Sequence, residues 1–139
     1  MEIQKAVTKE DFIKCWHVFQ ELRPCLDQDR YLTLTLYMID EHYRLIYVEI
    51  DGKAISVCGY RVVTILQHGR SIYIDELYTL SEARGKGYAT ALLKNVIQFA
   101  KSEEINCIHL SLEYKSSDAH KFYLNHKFKL AGHTLTREL

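Results

Sequence analysis

Two turn signals divide the middle of the chain into three runs of strand-forming residues, and this constrains the fold more than any other feature. Asp51-Gly52 and His68-Gly69 separate residues 43–50, 54–66 and 71–79, all rich in β-branched and aromatic side chains. Asp-Gly between two such runs is the strongest short-range hairpin signal, because both central residues of the favoured turn need positive φ. Three runs joined by tight turns read as an antiparallel meander. Gly59, inside the second run, marks a bulge. Strict alternation along the third run puts Ile72, Ile74, Glu76 and Tyr78 on one face, and Tyr73, Asp75, Leu77 and Thr79 on the other.

Helical periods flank this block. Residues 2–7 alternate as a first strand. Thr8 and Asp11 then resemble a capping box ahead of Phe12, Cys15, Trp16, Phe19 and Leu22, and Pro24 ends that helix. Asp27 or Gln28 opens a second helix with Tyr31, Leu34, Tyr37 and Met38 on one face, although Thr33-Leu34-Thr35-Leu36 also alternates like a strand. Beyond the meander the period changes. Ala89, Leu92, Leu93, Val96, Phe99 and Ala100 form an amphipathic helix. Residues 107–112 read as a buried strand. Ser116 or Ser117 caps a helix carrying Ala119, Phe122, Tyr123 and His126, and a last strand runs from Phe128 with Gly132 as a turn point. Strand, helix and strand in succession imply parallel pairing in this half. The pattern is that of one α+β domain with a mixed sheet over residues 1–139, without repeats or a domain boundary.

Composition narrows the function classes. The 139 residues are 47% hydrophobic and 26% charged, which is ordinary for a folded domain. Eighteen Lys and Arg balance eighteen Asp and Glu, so the basic excess of a nucleic-acid binder is missing. Cys15, Cys25, Cys58 and Cys107 form no C-x-x-C pair and read as reduced thiols of a cytoplasmic protein. No signal peptide is indicated, and no apolar run approaches membrane-spanning length. No histidine spacing points to a metal site.

The chemistry is concentrated where the meander gives way to helix, at Arg84-Gly85-Lys86-Gly87-Tyr88-Ala89-Thr90. Two glycines let the backbone turn tightly and approach a ligand closely. The unpaired N–H groups of the next helix point into the turn, and Arg84 and Lys86 add positive charge beside it. Together these suit a pyrophosphate. A Walker A loop needs G-x-x-x-x-G-K followed by Ser or Thr, which is absent, and a dinucleotide fingerprint needs a third glycine where Thr90 stands. A plain glycine-rich loop is the remaining alternative.

Arg84-Gly85-Lys86-Gly87-Tyr88-Ala89 resembles the R/Q-x-x-G-x-G/A motif of the GNAT superfamily of acyl-CoA-dependent N-acetyltransferases. Ala119-His120-Lys121-Phe122-Tyr123 resembles the A-x-x-F-Y of that family's second motif, at the right separation. The likeness is close over residues 70–130 and covers the order of elements along the entire chain. It implies a mixed, mostly antiparallel sheet flanked by helices in α/β/α layers. It also implies acetyl-CoA as co-substrate, with no metal. Backbone groups of Leu77, Tyr78 and Thr79 would pair with the pantetheine arm. The amides of residues 84–89, with Thr90, would hold the pyrophosphate, and Tyr123 would protonate the leaving thiolate. Ser116 stands where many members have a cofactor-side Asn, Lys127 where many have Gly, and Ser81 where many have Pro.

Acetyl transfer also needs a base for the amine proton, and a carboxylate on the central strand fits that role. Asp75 and Glu76 are the candidates, and alternation does not choose between them. His120 adjoins Tyr123 and is a possible proton relay. Tyr31, Tyr37, Tyr43 and Tyr60 are candidates to line an acceptor cleft. The expected acceptor is a primary amine of a small molecule or peptide, and the protein a monomer or homodimer with no nucleic-acid or membrane partner. A non-catalytic acyl-CoA-binding or regulatory module of the same fold is the alternative.

Overall fold

The structure, a computed structural model, describes residues 2–113 and 117–139. The chain forms two compact units, Met1–His109 and Leu110–Leu139. In chain order the elements are β1 (Ile3–Lys5), α1 (Lys9–Leu22), α2 (Gln28–Asp40), β2 (Tyr43–Ile50), β3 (Lys53–Ile65), β4 (Gly69–Thr79), a 3-10 turn (Ser81–Ala83), α3 (Tyr88–Ser102), β5 (Ile108–Leu110) and α4 (Ser117–Asn125). The sheet order is β1-β2-β3-β4-β5, and β1 to β4 pair antiparallel. The meander expected from Asp51-Gly52 and His68-Gly69 is therefore present, with φ of +51° at Asp51, +78° at Gly52 and +67° at Gly69.

α1 opens with a reciprocal cap. The Asp11 amide donates to Thr8 Oγ1 at 3.2 Å, and the Asp11 carboxylate accepts from the amides of Val7 and Thr8 at 2.8 and 3.0 Å. Asp27 caps α2 by accepting from the Arg30 amide at 2.8 Å. The two helices pack through Tyr31, whose ring lies 5.1 Å from Trp16 and 5.0 Å from Phe19 and whose hydroxyl donates to the Phe12 carbonyl. This pair covers one face of the sheet, where the Tyr47 hydroxyl reaches Asp11 and His17 Nε2 meets the Ala54 carbonyl. α3 covers the other face, with Phe99 against Tyr60 and beneath the Arg44 guanidinium. Register agrees: Arg44 pairs with Tyr60, while Tyr47 pairs with Val57 on the alternate positions. Leu45, Val48, Val57, Cys58, Ile72, Leu92, Leu93 and Val96 are fully buried between the layers.

Three expectations need correcting. The buried side of α2 is Tyr31 and Thr35, whereas Tyr37 is 68% exposed and Leu34 is exposed as well. The Thr35 hydroxyl is satisfied by the Leu32 carbonyl at 3.0 Å, so a polar residue takes the inward position. The strand at residues 107–112 is shortened to Ile108–Leu110 and is half-buried rather than buried. No strand forms over residues 128–139, which are almost wholly exposed and have no ladder partner among the described residues. All four cysteines are free. Cys15 and Cys58 are buried, and burial pushes the Cys15 thiol up to about 12 and raises the Cys58 thiol as well, so both act as small apolar groups. Among the described residues, no helix is long and apolar enough to cross a membrane.

Candidate active site

The two acidic candidates sit at a fault in the β3–β4 ladder. Gly59 pairs with Glu76, but the next residue, Tyr60, pairs with Ile74, so Asp75 has no opposite number. One extra residue in a strand breaks the alternation of faces. Asp75 and Glu76 do not point to opposite sides as strict alternation requires. Both reach the face covered by α1 and α2. The Asp75 carboxylate is held by Arg61 in a two-pronged pair, Nε to Oδ2 at 2.9 Å and Nη2 to Oδ1 at 3.0 Å. Glu76 accepts a hydrogen bond from the Tyr43 hydroxyl. The Arg61 guanidinium lies 5.6 Å from the centre of the Tyr43 ring and reaches on to Glu41 at 3.4 Å.

Gly59 makes this arrangement possible. A methyl group there would overlap both the Glu76 carboxylate and the Tyr43 hydroxyl. The bulge expected at this glycine is present. Its effect on the partner strand, which re-aims an acid, is carried by no local signal in residues 71–79.

The electrostatics separate the two acids. Burial drives the Glu76 carboxyl up from 4.5 to about 7. The Tyr43 hydrogen bond opposes that shift, Asp75 adds to it, and Arg23 and Arg61 oppose it. Asp75 is also raised by burial, but the hydrogen bonds and charge of Arg61 work against the shift. Both Asp75 oxygens are committed to a guanidinium, whereas Glu76 is a carboxylate of near-neutral pKa with one phenolic donor. Burial pushes Tyr43 well above the ordinary phenol value, so it remains protonated near neutrality. Of the four tyrosines expected around an acceptor, Tyr43 alone bonds an acid of the site. Tyr31 is spent between α1 and α2, Tyr60 faces α3, and Tyr37 is exposed.

The glycine-rich turn has the geometry of an anion cradle. Gly85 and Gly87 have φ of +79° and +84°, where a side chain is strained, and a Cβ at either position would meet nothing within 4 Å. Gly87 is the N-cap of α3 and supplies no side-chain cap, and the first turn carries no acidic residue. The first intrahelical bond is Ala91 N to Gly87 O at 3.0 Å. The amides of Tyr88, Ala89 and Thr90 therefore precede the intrahelical ladder. Lys86 is exposed beside them with no carboxylate partner among the described residues. Arg84 faces back into the loop: its Nε donates to the Thr79 carbonyl at 3.2 Å, and its guanidinium lies 5.1 Å from the Tyr78 ring centre.

Glu21, near the end of α1, completes the support. Its Oε2 accepts from the Tyr78 hydroxyl and from the Ser81 amide, each at 2.9 Å. The sequence offers no sign of this clamp, since its members lie far apart along the chain. At the same end of β4, Thr79 pairs with Ser56 of β3. On its other side, the Ile72 amide donates to the Cys107 carbonyl, and β5 ends three residues beyond Cys107. β5 therefore stops short of Leu77, Tyr78 and Thr79. Among the described residues no strand covers that edge, where an extended ligand can add as one.

In the unit Leu110–Leu139, Tyr123 is 7% exposed in α4, and its ring packs edge-on against Phe122 and Phe128, both 5.2 Å away. The Phe128 amide closes the helix end on the Tyr123 carbonyl at 3.0 Å. His120 Nε2 is buried and has no hydrogen-bond partner among the described residues. Ser116 lies outside the described residues.

The family model described as Acetyltransferase (GNAT) family matches residues 9–128. An uncharacterised N-acetyltransferase, YhdJ, of Bacillus subtilis (strain 168) is 25% identical over 124 residues, covering 88% of this chain and 87% of the relative. The solved ribosomal-protein-alanine N-acetyltransferase of Brucella melitensis biovar Abortus 2308 superposes with a TM-score of 0.83 at 17% identity, over 100% of both chains. The aminoglycoside N-acetyltransferase AAC(6')-Iy, solved in complex with CoA, gives a TM-score of 0.85 at 13% identity, covering 99% of this chain and 93% of its own. At such identities the two structural likenesses speak for the fold.

Proposed function

The chain belongs to the acetyltransferase (GNAT) family, and we propose that this N-acetyltransferase moves an acetyl group from acetyl-CoA to the primary amine of a small molecule or peptide, with Glu76 as the base. The observation that carries the choice of base is the bulge that turns Glu76 towards Tyr43 while Asp75 is locked to Arg61. A carboxyl near 7 is half ionised at neutral pH and matched to a proton transfer there.

The donor's pyrophosphate lies on the backbone around Gly85, Lys86, Gly87, Tyr88, Ala89 and Thr90, where the N-terminal end of α3, which has no side-chain cap at Gly87, and Lys86 supply positive character. Arg84 holds the turn rather than the phosphate. The pantetheine arm adds along Leu77, Tyr78 and Thr79. The acceptor enters as the neutral amine, and Glu76 takes the proton its nitrogen loses as the new bond forms, directly or through a water. The amine nitrogen attacks the thioester carbonyl, whose developing negative charge is met by main-chain N–H groups. The C–N bond forms, the C–S bond breaks, and the Tyr123 hydroxyl gives its proton to the departing thiolate. Asp75 serves by keeping Arg61 in place.

The test is release of free thiol from acetyl-CoA across a panel of primary amines. The relatives' own acceptors make aminoglycosides and peptides with N-terminal alanine the first members of that panel. Turnover with at least one amine, lost in Glu76→Gln, supports the reading. A fully active Glu76→Gln variant removes Glu76 as base, and silence across the panel removes this acceptor class.

A further inference from the structure

A cavity of about 710 Å3 opens where β1 leaves the sheet, away from the glycine-rich turn and lined by none of its residues. β1 pairs with β2 only from Ile3↔Val48 to Lys5↔Ile46, and the Ala6 amide closes the ladder on the Leu45 carbonyl at 2.9 Å. β2 continues to Tyr43 without that neighbour. In an antiparallel pair every second residue directs its N–H and C=O to the same side. Leu45 is bonded towards β1, so Tyr43, two residues on, directs its backbone groups into the space that β1 vacates.

The charges around this space do not balance. Lys5, Arg44 and Arg70 line it, and Glu103 is the one acid among the lining residues. Arg70 already holds Glu103, Nη2 to Oε1 at 3.2 Å and Nη1 to the main-chain oxygen at 3.1 Å. Lys5 and Arg44 are left without a carboxylate partner among the described residues, in a chain whose charges otherwise cancel. The Arg44 guanidinium lies over the Phe99 ring at 4.5 Å from its centre. Val62 and Phe99 provide an apolar wall on the face that α3 covers, the face on which Arg44 also lies. Two uncompensated cations and an unpaired strand edge at one end of an apolar concavity are complementary to a planar anionic head on an apolar body. A volume of this size is that of a small-molecule site.

We propose that this cavity binds a small amphipathic carboxylate, with Lys5 and Arg44 holding the carboxylate and the Val62 and Phe99 side receiving the alkyl or aryl body. The site is separate from the acetyl-CoA site and stands whether or not Glu76 is the base.

Octanoate and its neutral counterpart octanamide are the probes, titrated calorimetrically into the full chain at low salt. Octanoate should bind saturably at one site, and octanamide about tenfold more weakly, as befits loss of charge-assisted hydrogen bonds. Lys5→Gln, at an exposed position, should weaken octanoate by about tenfold without changing acetyl-CoA affinity, and Arg44→Gln should do the same. Absence of saturable octanoate binding overturns the proposal. So does equal affinity for the amide, or wild-type octanoate affinity in both variants. Acetyl-CoA titration of the same samples keeps failure here distinct from failure of the cofactor site.

Discussion

The Tyr43 hydroxyl donates to the Glu76 carboxylate over the bare Cα of Gly59, joining three neighbouring strands at one point. The bond favours the ionised carboxylate while burial favours the protonated one, and their balance leaves Glu76 at about 7. Tyr43 stays a donor throughout, since its own phenol is raised.

The first expectation concerns rate against pH. kcat/KM should rise with pH and reach half its plateau near 7, where Glu76 gives up its proton. Tyr43→Phe removes the bond that stabilises the ionised form, so its midpoint should lie higher. Glu76→Gln should abolish this limb and lower kcat by ~10²–10⁴, the range of a general base. A pH series with a fixed amine acceptor reads all three. An unchanged midpoint in Tyr43→Phe would uncouple the two residues.

Stability should carry the same titration. The folded-state value of Glu76 is raised from 4.5 to about 7, so the native state binds this proton more tightly than the unfolded chain does. The resulting stabilisation is fully present below about 4.5 and is lost as pH rises through about 7. Across that window wild type should lose melting temperature relative to Glu76→Gln, which cannot ionise. Thermal melts of both proteins from pH 4 to pH 8 give the comparison, and parallel curves would mean that Glu76 is not the buried proton site.

At the glycine-rich turn, Gly87→Asp should abolish acetyl-CoA binding. Aspartate strains a residue at φ +84° and places a negative charge among the α3 amides. Calorimetric titration of the folded variant measures it, and retained affinity would put the phosphates elsewhere.

Tyr123→Phe removes a single hydroxyl from a ring already packed on Phe122 and Phe128. The fold and cofactor affinity should persist while kcat falls by ~10²–10⁴, the contribution of a general acid. Single-turnover kinetics isolate the chemical step. A wild-type rate with chemistry limiting would reduce Tyr123 to a packing residue, and His120→Ala in parallel tests its neighbour.

Local chemistry was legible where the determining atoms are close along the chain. Asp51-Gly52 and His68-Gly69 turn the meander, Thr8 and Asp11 cap α1, and Gly85 and Gly87 take the left-handed conformation that a side chain would resist. The failures involve distant partners. In α2, Leu34, Leu36 and Tyr37 offer several apolar faces, and contact with α1 at Tyr31 selects the one containing Thr35. Asp75 and Glu76 alternate on paper, but the skipped register opposite Gly59 and Tyr60 brings both to Arg61 and Tyr43. Glu21 reads as a solvent-facing acid until α1 is laid against Tyr78 and Ser81. Residues 128–139, read as a last strand from Phe128, have no ladder partner among the described residues.

The crowding above Gly59, where Tyr43 and Glu76 close over the bare Cα, also bears on how such a chain can change over generations. A side chain there competes for volume with Tyr43 and Glu76, so substitution at this position is viable only alongside a smaller partner at one of the other two. Positions 43, 59 and 76 are therefore expected to vary together despite their separation in sequence. In natural relatives, alanine or anything larger in place of the glycine is expected only where the tyrosine or the glutamate has already been lost.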